Sequence, residues 1–133
     1  MKTRADFNPR EVCLLDDDAS VLRSMQYLLA SEGIEVRAFN KPEDFLAHAA
    51  VYRVPVVVTD IWMAGITGLE ILARMCAITP RPRVIVITAR DDLAARVTAM
   101  QIGPVAFFIK PFNDEQFLAA VQDALDQATA DVT

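Results

Sequence analysis

The 133-residue chain is poor in the residues that most often announce chemistry, with two cysteines, one histidine and four glycines. Two cysteines are too few for a disulfide framework, and Cys13 and Cys76 both sit inside apolar patterns, so they read as buried, reduced core thiols. The lone histidine, His48, falls within a short helix away from every strand end and reads as a solvated side chain, not a phosphodonor. No cluster of lysine and arginine breaks a net charge of −5, which excludes a direct grip on nucleic-acid phosphates. A role at DNA would require an output domain absent from this chain. Long apolar runs are missing too: the stretches near Val56 and Val84 are far too short to span a bilayer, and Met1-Lys2-Thr3-Arg4-Ala5-Asp6 has no apolar core behind its charges. The expectation is a cytoplasmic protein with no membrane partner.

What is present is apolar sequence in regular order. At 53% hydrophobic residues, one domain of this length can bury a single core. Val12–Leu15, Val54–Thr59, Arg83–Thr88 and Val105–Ile109 are short, near-continuous and rich in β-branched residues, the pattern of strands covered on both faces. A weaker strand is expected near Glu35–Ala38. Between them, helical spacing relates Val21, Leu22, Met25, Leu28 and Leu29, then Leu69, Leu72, Met75 and Cys76, then Phe117, Leu118, Val121 and Leu125. Punctuation agrees: Asp18 suits an N-cap, Pro42 a first helical position, Thr67 with Glu70 and Asn113 with Gln116 have capping-box spacing, and Gly33 and Gly103 suit helix ends. A βα unit repeated five times predicts an α/β fold, an open, doubly wound parallel sheet with helices on both faces. The expected division is an N-terminal extension over 1–10, one domain over 11–128 and a tail over 129–133.

In such a sheet, functional groups gather at the carboxyl ends of the strands. Here those ends are polar: Asp16-Asp17-Asp18 after the first strand, Asp60 after the third, Thr88-Ala89 after the fourth and Lys110-Pro111 after the fifth. Carboxylates converging in one cleft repel one another unless a cation sits among them, and hard oxygen ligands suit Mg²⁺. A hydroxyl and an ammonium across the cleft fit phosphoryl oxygens, and an aspartate is a known nucleophile for phosphoryl transfer.

These residues resemble the receiver domains of bacterial response regulators over Val12 to Leu125: Asp16-Asp17 after an apolar strand, Asp60 followed by Met63 and Gly68, Thr88-Ala89, and Phe107 three residues before Lys110-Pro111-Phe112. The resemblance implies a flavodoxin-like (βα)5 fold of strand order 2-1-3-4-5. It implies that Asp60 is the phosphoacceptor and that Asp17, Asp60, the backbone carbonyl of Trp62 and, through water, Asp16 hold Mg²⁺. It further implies that Thr88 and Lys110 hold the phosphoryl group, that Phe107 changes rotamer with Thr88, and that Lys110-Pro111 is cis. A sensor histidine kinase is the implied donor, a phosphorylation-dependent homodimer the implied response, and a helix-turn-helix transcriptional regulator the nearest kind of relative. Such a domain catalyses only its own phosphorylation and dephosphorylation. Two positions depart from the family's habit, Ala64 in place of proline and Pro104 in place of alanine; the first is expected to loosen the loop that carries Trp62, and the second to remove a backbone donor before the last strand.

Plainer readings stand beside these. Asp16-Asp17-Asp18 alone is a helix-capping turn, Thr88 alone a strand residue or cap, and Phe107 alone plain core. Trp62 fits packing as well as shielding of the site. A phosphatase of the haloacid dehalogenase type shares an aspartate, Mg²⁺, a threonine and a lysine, but needs a second acid where Trp62 stands. An unphosphorylated interaction module would not need all of these chemical positions.

Overall fold

Five strands, β1 (Glu11–Leu15), β2 (Glu35–Phe39), β3 (Val56–Asp60), β4 (Arg83–Thr88) and β5 (Ala106–Ile109), alternate with five helices, α1 (Ala19–Ala30), α2 (Pro42–Val51), α3 (Gly68–Cys76), α4 (Leu93–Ile102) and α5 (Asp114–Ala130), in the computed structural model, which describes residues 10–130. All but Arg10 of the expected extension 1–10, and the last three residues of the expected tail 129–133, lie outside the described residues. The strands form one parallel sheet in the order β2-β1-β3-β4-β5, as expected.

Alternation along each strand sends side chains to opposite faces and makes two cores. Val12, Leu14, Val56, Val58, Ile85 and Ile87 pack with Leu22, Met25 and Leu29 of α1 and Phe117, Val121 and Leu125 of α5. Cys13, Leu15, Val57, Val84 and Val86 pack with Phe45 of α2, Ile71, Leu72 and Met75 of α3, and Ala95 and Ala99 of α4. The three inner strands are buried, but β5 is only half-buried throughout, because it is an edge strand. The apolar run Val105–Ile109 had predicted a fully covered strand. It starts at Ala106, after Val105 N–H has donated to the Val84 carbonyl at 2.9 Å, so the ladder needs no donor from Pro104.

Local chemistry places the helices. The Asp18 carboxylate accepts from the Ser20 and Val21 N–H groups, Thr67 Oγ1 from Glu70 N–H, and Asn113 Oδ1 from Gln116 N–H, each as its spacing predicts. Asp92 caps α4 by accepting from Ala95 N–H, a cap the sequence reading did not single out. Gly33 and Gly103 take positive φ where α1 and α4 close. No described helix is long and apolar enough to cross a membrane.

Two expectations for single residues change. Cys13 is fully buried as predicted, whereas Cys76 is only half-buried, at the end of α3 against the margin of the second core. His48 is not a solvated side chain: it is half-buried, stacked on Tyr52 at 4.9 Å and tilted against Phe39 at 5.4 Å.

Candidate functional site

The carboxyl ends of β1, β3, β4 and β5 bring the predicted polar residues together. Asp16, Asp17 and Asp60 each offer a carboxylate oxygen within 4.8 Å of the others. Asp16 is buried, its backbone N–H donating to the Phe39 carbonyl at 3.2 Å and its Oδ1 accepting from Asp18 N–H at 2.9 Å. Asp17 is exposed at the rim, and Asp18 leaves the cluster to cap α1. The acidic turn thus divides its labour, two carboxylates for the cleft and one for the helix.

Asp60 closes β3, and its Oδ1 accepts from Ile61 N–H at 2.9 Å. Its carboxyl is pushed up to about 6, first by burial and then by the charge of Asp16, against opposition from Lys110 and the backbone N–H groups of Ile61 and Trp62. A carboxylate so crowded by a like charge is where a divalent cation gains most. The donor set is all hard oxygen, which fits Mg²⁺ and offers nothing to a soft metal.

Lys110 reaches the same cleft from the end of β5. Its Nζ lies 3.5 Å from Asp16 Oδ2, its backbone N–H donates to the Thr88 carbonyl at 2.8 Å, and its peptide bond to Pro111 is cis, as the resemblance implied. Thr88 is buried at the end of β4, its hydroxyl donating to the Arg90 carbonyl at 3.0 Å and accepting from Arg90 N–H at 3.1 Å. Phe107 is half-buried, with the Arg96 guanidinium 5.9 Å from its ring centre.

Three features of the site go beyond the motif. Ala64 N–H donates to Asp17 Oδ2 at 3.3 Å, a bond that proline cannot make. The departure expected to loosen this loop therefore also ties it to the acidic turn. The Arg90 guanidinium lies 4.5 Å over the Trp62 ring, and Trp62 Nε1 is enclosed with no hydrogen-bond partner among the described residues. Trp62 also packs against the second core, which supports the packing reading of this side chain. Finally, Gly68 N–H donates to the Ile61 carbonyl at 2.8 Å, and a Cβ on Gly68 would run into the Asp60 carbonyl oxygen. The sequence offered Gly68 only as a motif letter; the signal for its role was its place as the first residue of a helix that returns onto the strand end.

Residues 12–122 match the response regulator receiver domain family. The transcriptional regulatory protein FixJ of Bradyrhizobium diazoefficiens is 34% identical over 117 residues, covering 88% of this chain and 57% of that protein, and FixJ of Azorhizobium caulinodans is 36% identical over 88% of this chain and 56% of its own length. The chain thus spans a little over half the length of these curated relatives. Among solved structures, a CheY-like receiver domain protein from Methanospirillum hungatei superposes with a TM-score of 0.83 at 25% identity, covering 91% of this chain and 97% of that one. The beryllofluoride-activated NtrC4 receiver domain dimer gives 0.81 at 27% identity, over 90% and 98%.

Proposed function

The chain belongs to the response regulator receiver domain family, a signalling domain of two-component systems, and from that premise we propose that Asp60 is the residue that takes up the phosphoryl group. The observation that carries the assignment is Asp60 at the end of β3, half-buried among Asp16, Asp17 and Lys110. An Asp60 oxygen attacks phosphorus, the bond to the donor's nitrogen or oxygen breaks, and the leaving group departs with those electrons. Asp17, Asp60 and the Trp62 carbonyl would hold Mg²⁺ in this cleft, with Asp16 assisting through water, and a cation held there would neutralise the carboxylates and the charge that develops on the phosphoryl group. Lys110 balances the phosphoryl oxygens once its contact to Asp16 is given up. Thr88 leaves Arg90 to bind the same group, and Phe107 follows it inward, which is how modification reaches the outer surface. Slow attack by water on the acyl phosphate resets the domain.

The proposed donor is a sensor histidine kinase, and the proposed response is a homodimer; the activated NtrC4 receiver is a dimer, which supports the second. The FixJ relatives are transcriptional regulators, so the output we propose is transcriptional, through a DNA-binding domain outside this chain, in the cytoplasm. The receiver itself is assigned to residues 11–128. Incubation with Mg²⁺ and acetyl phosphate should yield a stable mass gain of one phosphoryl group; phosphate release with no adduct would instead mark a phosphatase.

Two further outcomes are expected. Ala64→Pro removes the N–H that holds Asp17, a loss of about 1 kcal/mol offset by a comparable restriction of the unfolded chain, so its thermal midpoint should barely move. Mg²⁺ affinity, followed through Trp62 fluorescence, should nevertheless fall, and unchanged affinity would mean that this bond does not position the ligand. Trp62→Ala should shorten the life of the phosphorylated state several-fold, because a bulky ring two residues from Asp60 and stacked under Arg90 would restrict the water that hydrolyses the acyl phosphate. An equal or longer lifetime would leave Trp62 a packing residue.

A further inference from the structure

At the opposite end of β1 from the acidic cleft lies a second convergence of ligand-forming side chains. Glu11 and Cys13, two apart on β1, point to the same face of the sheet, and His48 comes down onto them from α2. A Glu11 carboxylate oxygen, Cys13 Sγ and a His48 ring nitrogen all lie within 4.8 Å of one another. We propose that Glu11, Cys13 and His48 are a second metal site, for Zn²⁺ with water as its fourth ligand, which pins α2 to β1.

Thiolate, imidazole and carboxylate together are a borderline-soft set that suits Zn²⁺ and not Mg²⁺. Tetrahedral zinc with these bond lengths needs ligand atoms roughly 3.5 Å apart, so the three must close by about 1 Å. Side-chain rotation of the half-buried Glu11 and His48 can supply that movement. The neighbours behave as an outer shell. Arg37 holds the Glu11 carboxylate through Nε at 3.3 Å and a terminal nitrogen at 3.4 Å, leaving further lone pairs for an ion. Phe39 and Tyr52 fix the His48 ring from two sides. Burial, and after it the Glu11 charge, push the Cys13 thiol up to about 12 against the opposing charge of Arg37, so the ion must displace a proton there. The site is distinct from the phosphorylation cleft: Cys13 and Asp16 are three residues apart along β1, about 10 Å.

The test uses the full chain in excess Mg²⁺, which occupies the acidic cleft, with Co²⁺ as the spectroscopic probe and Zn²⁺ as its competitor. The acidic cleft has no sulfur ligand, so a thiolate-to-cobalt charge-transfer band reports a cysteine. The band should form in the wild type, be displaced by Zn²⁺, and persist in Cys76→Ser and Asp60→Asn. It should vanish in Cys13→Ser. In His48→Gln, a change on a half-buried helix position that keeps the fold, affinity should drop more than about tenfold, since even outer-shell losses cost 10–100-fold. Zn²⁺ should also raise the thermal midpoint of the wild type and not that of His48→Gln. No band in the wild type, a band lost with Cys76, or a band and a Zn²⁺-dependent midpoint that survive unchanged in His48→Gln would each overturn the assignment.

Discussion

Asp60→Asn is expected to abolish the mass gain with Mg²⁺ and acetyl phosphate and, at the same time, to make the metal-free protein more stable at pH 7. The first effect follows because an amide keeps the shape of the side chain but lacks the anionic oxygen that attacks phosphorus. The second follows from the crowding in the cleft. Burial, and after it the charge of Asp16, raise the Asp60 carboxyl from its ordinary 3.8 to about 6. For a group raised in the folded state, the stabilising contribution is complete below pH 3.8 and is lost as pH rises through about 6. At pH 7 an ionised Asp60 therefore works against the fold, and a neutral asparagine does not. A rise of this size would amount to about 3 kcal/mol for a group sealed from water. Asp60 is half-buried, and solvent screening brings the expected gain down to about 1 kcal/mol. Thermal melts in chelator at pH 4 and pH 7 check it: the variant should gain on the wild type at pH 7 and not at pH 4, and Mg²⁺ should narrow the gap by stabilising the wild type. A stoichiometric adduct on the variant would place the acceptor on another residue, and a variant less stable than wild type at pH 7 would mean that the cleft is not strained by charge.

The parts of this fold that were legible in the sequence are those governed by near neighbours. Asp18, Thr67 and Asn113 cap helices because each side chain reaches an N–H two or three residues on, and that reach is written in the spacing. The inner strands were legible because burial on both faces forces continuous apolar runs. The site was legible because strand ends are the one place where this architecture gathers polar groups, and Asp16, Asp60, Thr88 and Lys110 each close a strand. What escaped depends on position in space. The half-burial of β5 follows from its place at the sheet edge, which its composition does not record. The packing of His48 on Tyr52 and Phe39, and its approach to Cys13, depend on where α2 crosses the sheet, a matter decided by loops and not by the periodicity of the helix. The bond from Ala64 to Asp17 joins residues 47 apart, so only the folded loop reveals that the missing proline leaves a useful N–H.

Gly68→Ala is the second change with a large expected effect, and it acts on the backbone beneath the phosphoacceptor. Gly68 is the first residue of α3, after the Thr67 cap, and its N–H donates to the Ile61 carbonyl. The chain thus turns back so tightly that the helix start lies directly on the Asp60–Ile61 peptide. An added Cβ would overlap the Asp60 carbonyl oxygen and come within 2.8 Å of both the Asp60 carbonyl carbon and the Ile61 Cα. All three are backbone atoms, so no side-chain rotation relieves the overlap, and either α3 or the end of β3 must move. Overpacking of this kind costs about 1–3 kcal/mol, and here the upper part of that range is expected because nothing flexible can yield. The displaced group is the main chain that fixes Asp60 and leads to Trp62, so phosphorylation from acetyl phosphate should slow as well, by more than about tenfold, since misplacement by even 1 Å is costly in a positioned reaction. A lowered thermal midpoint together with slowed adduct formation in saturating Mg²⁺ is the expected pair of results. A variant with the midpoint and phosphorylation rate of the wild type would show that the helix start can retreat without carrying Asp60 along.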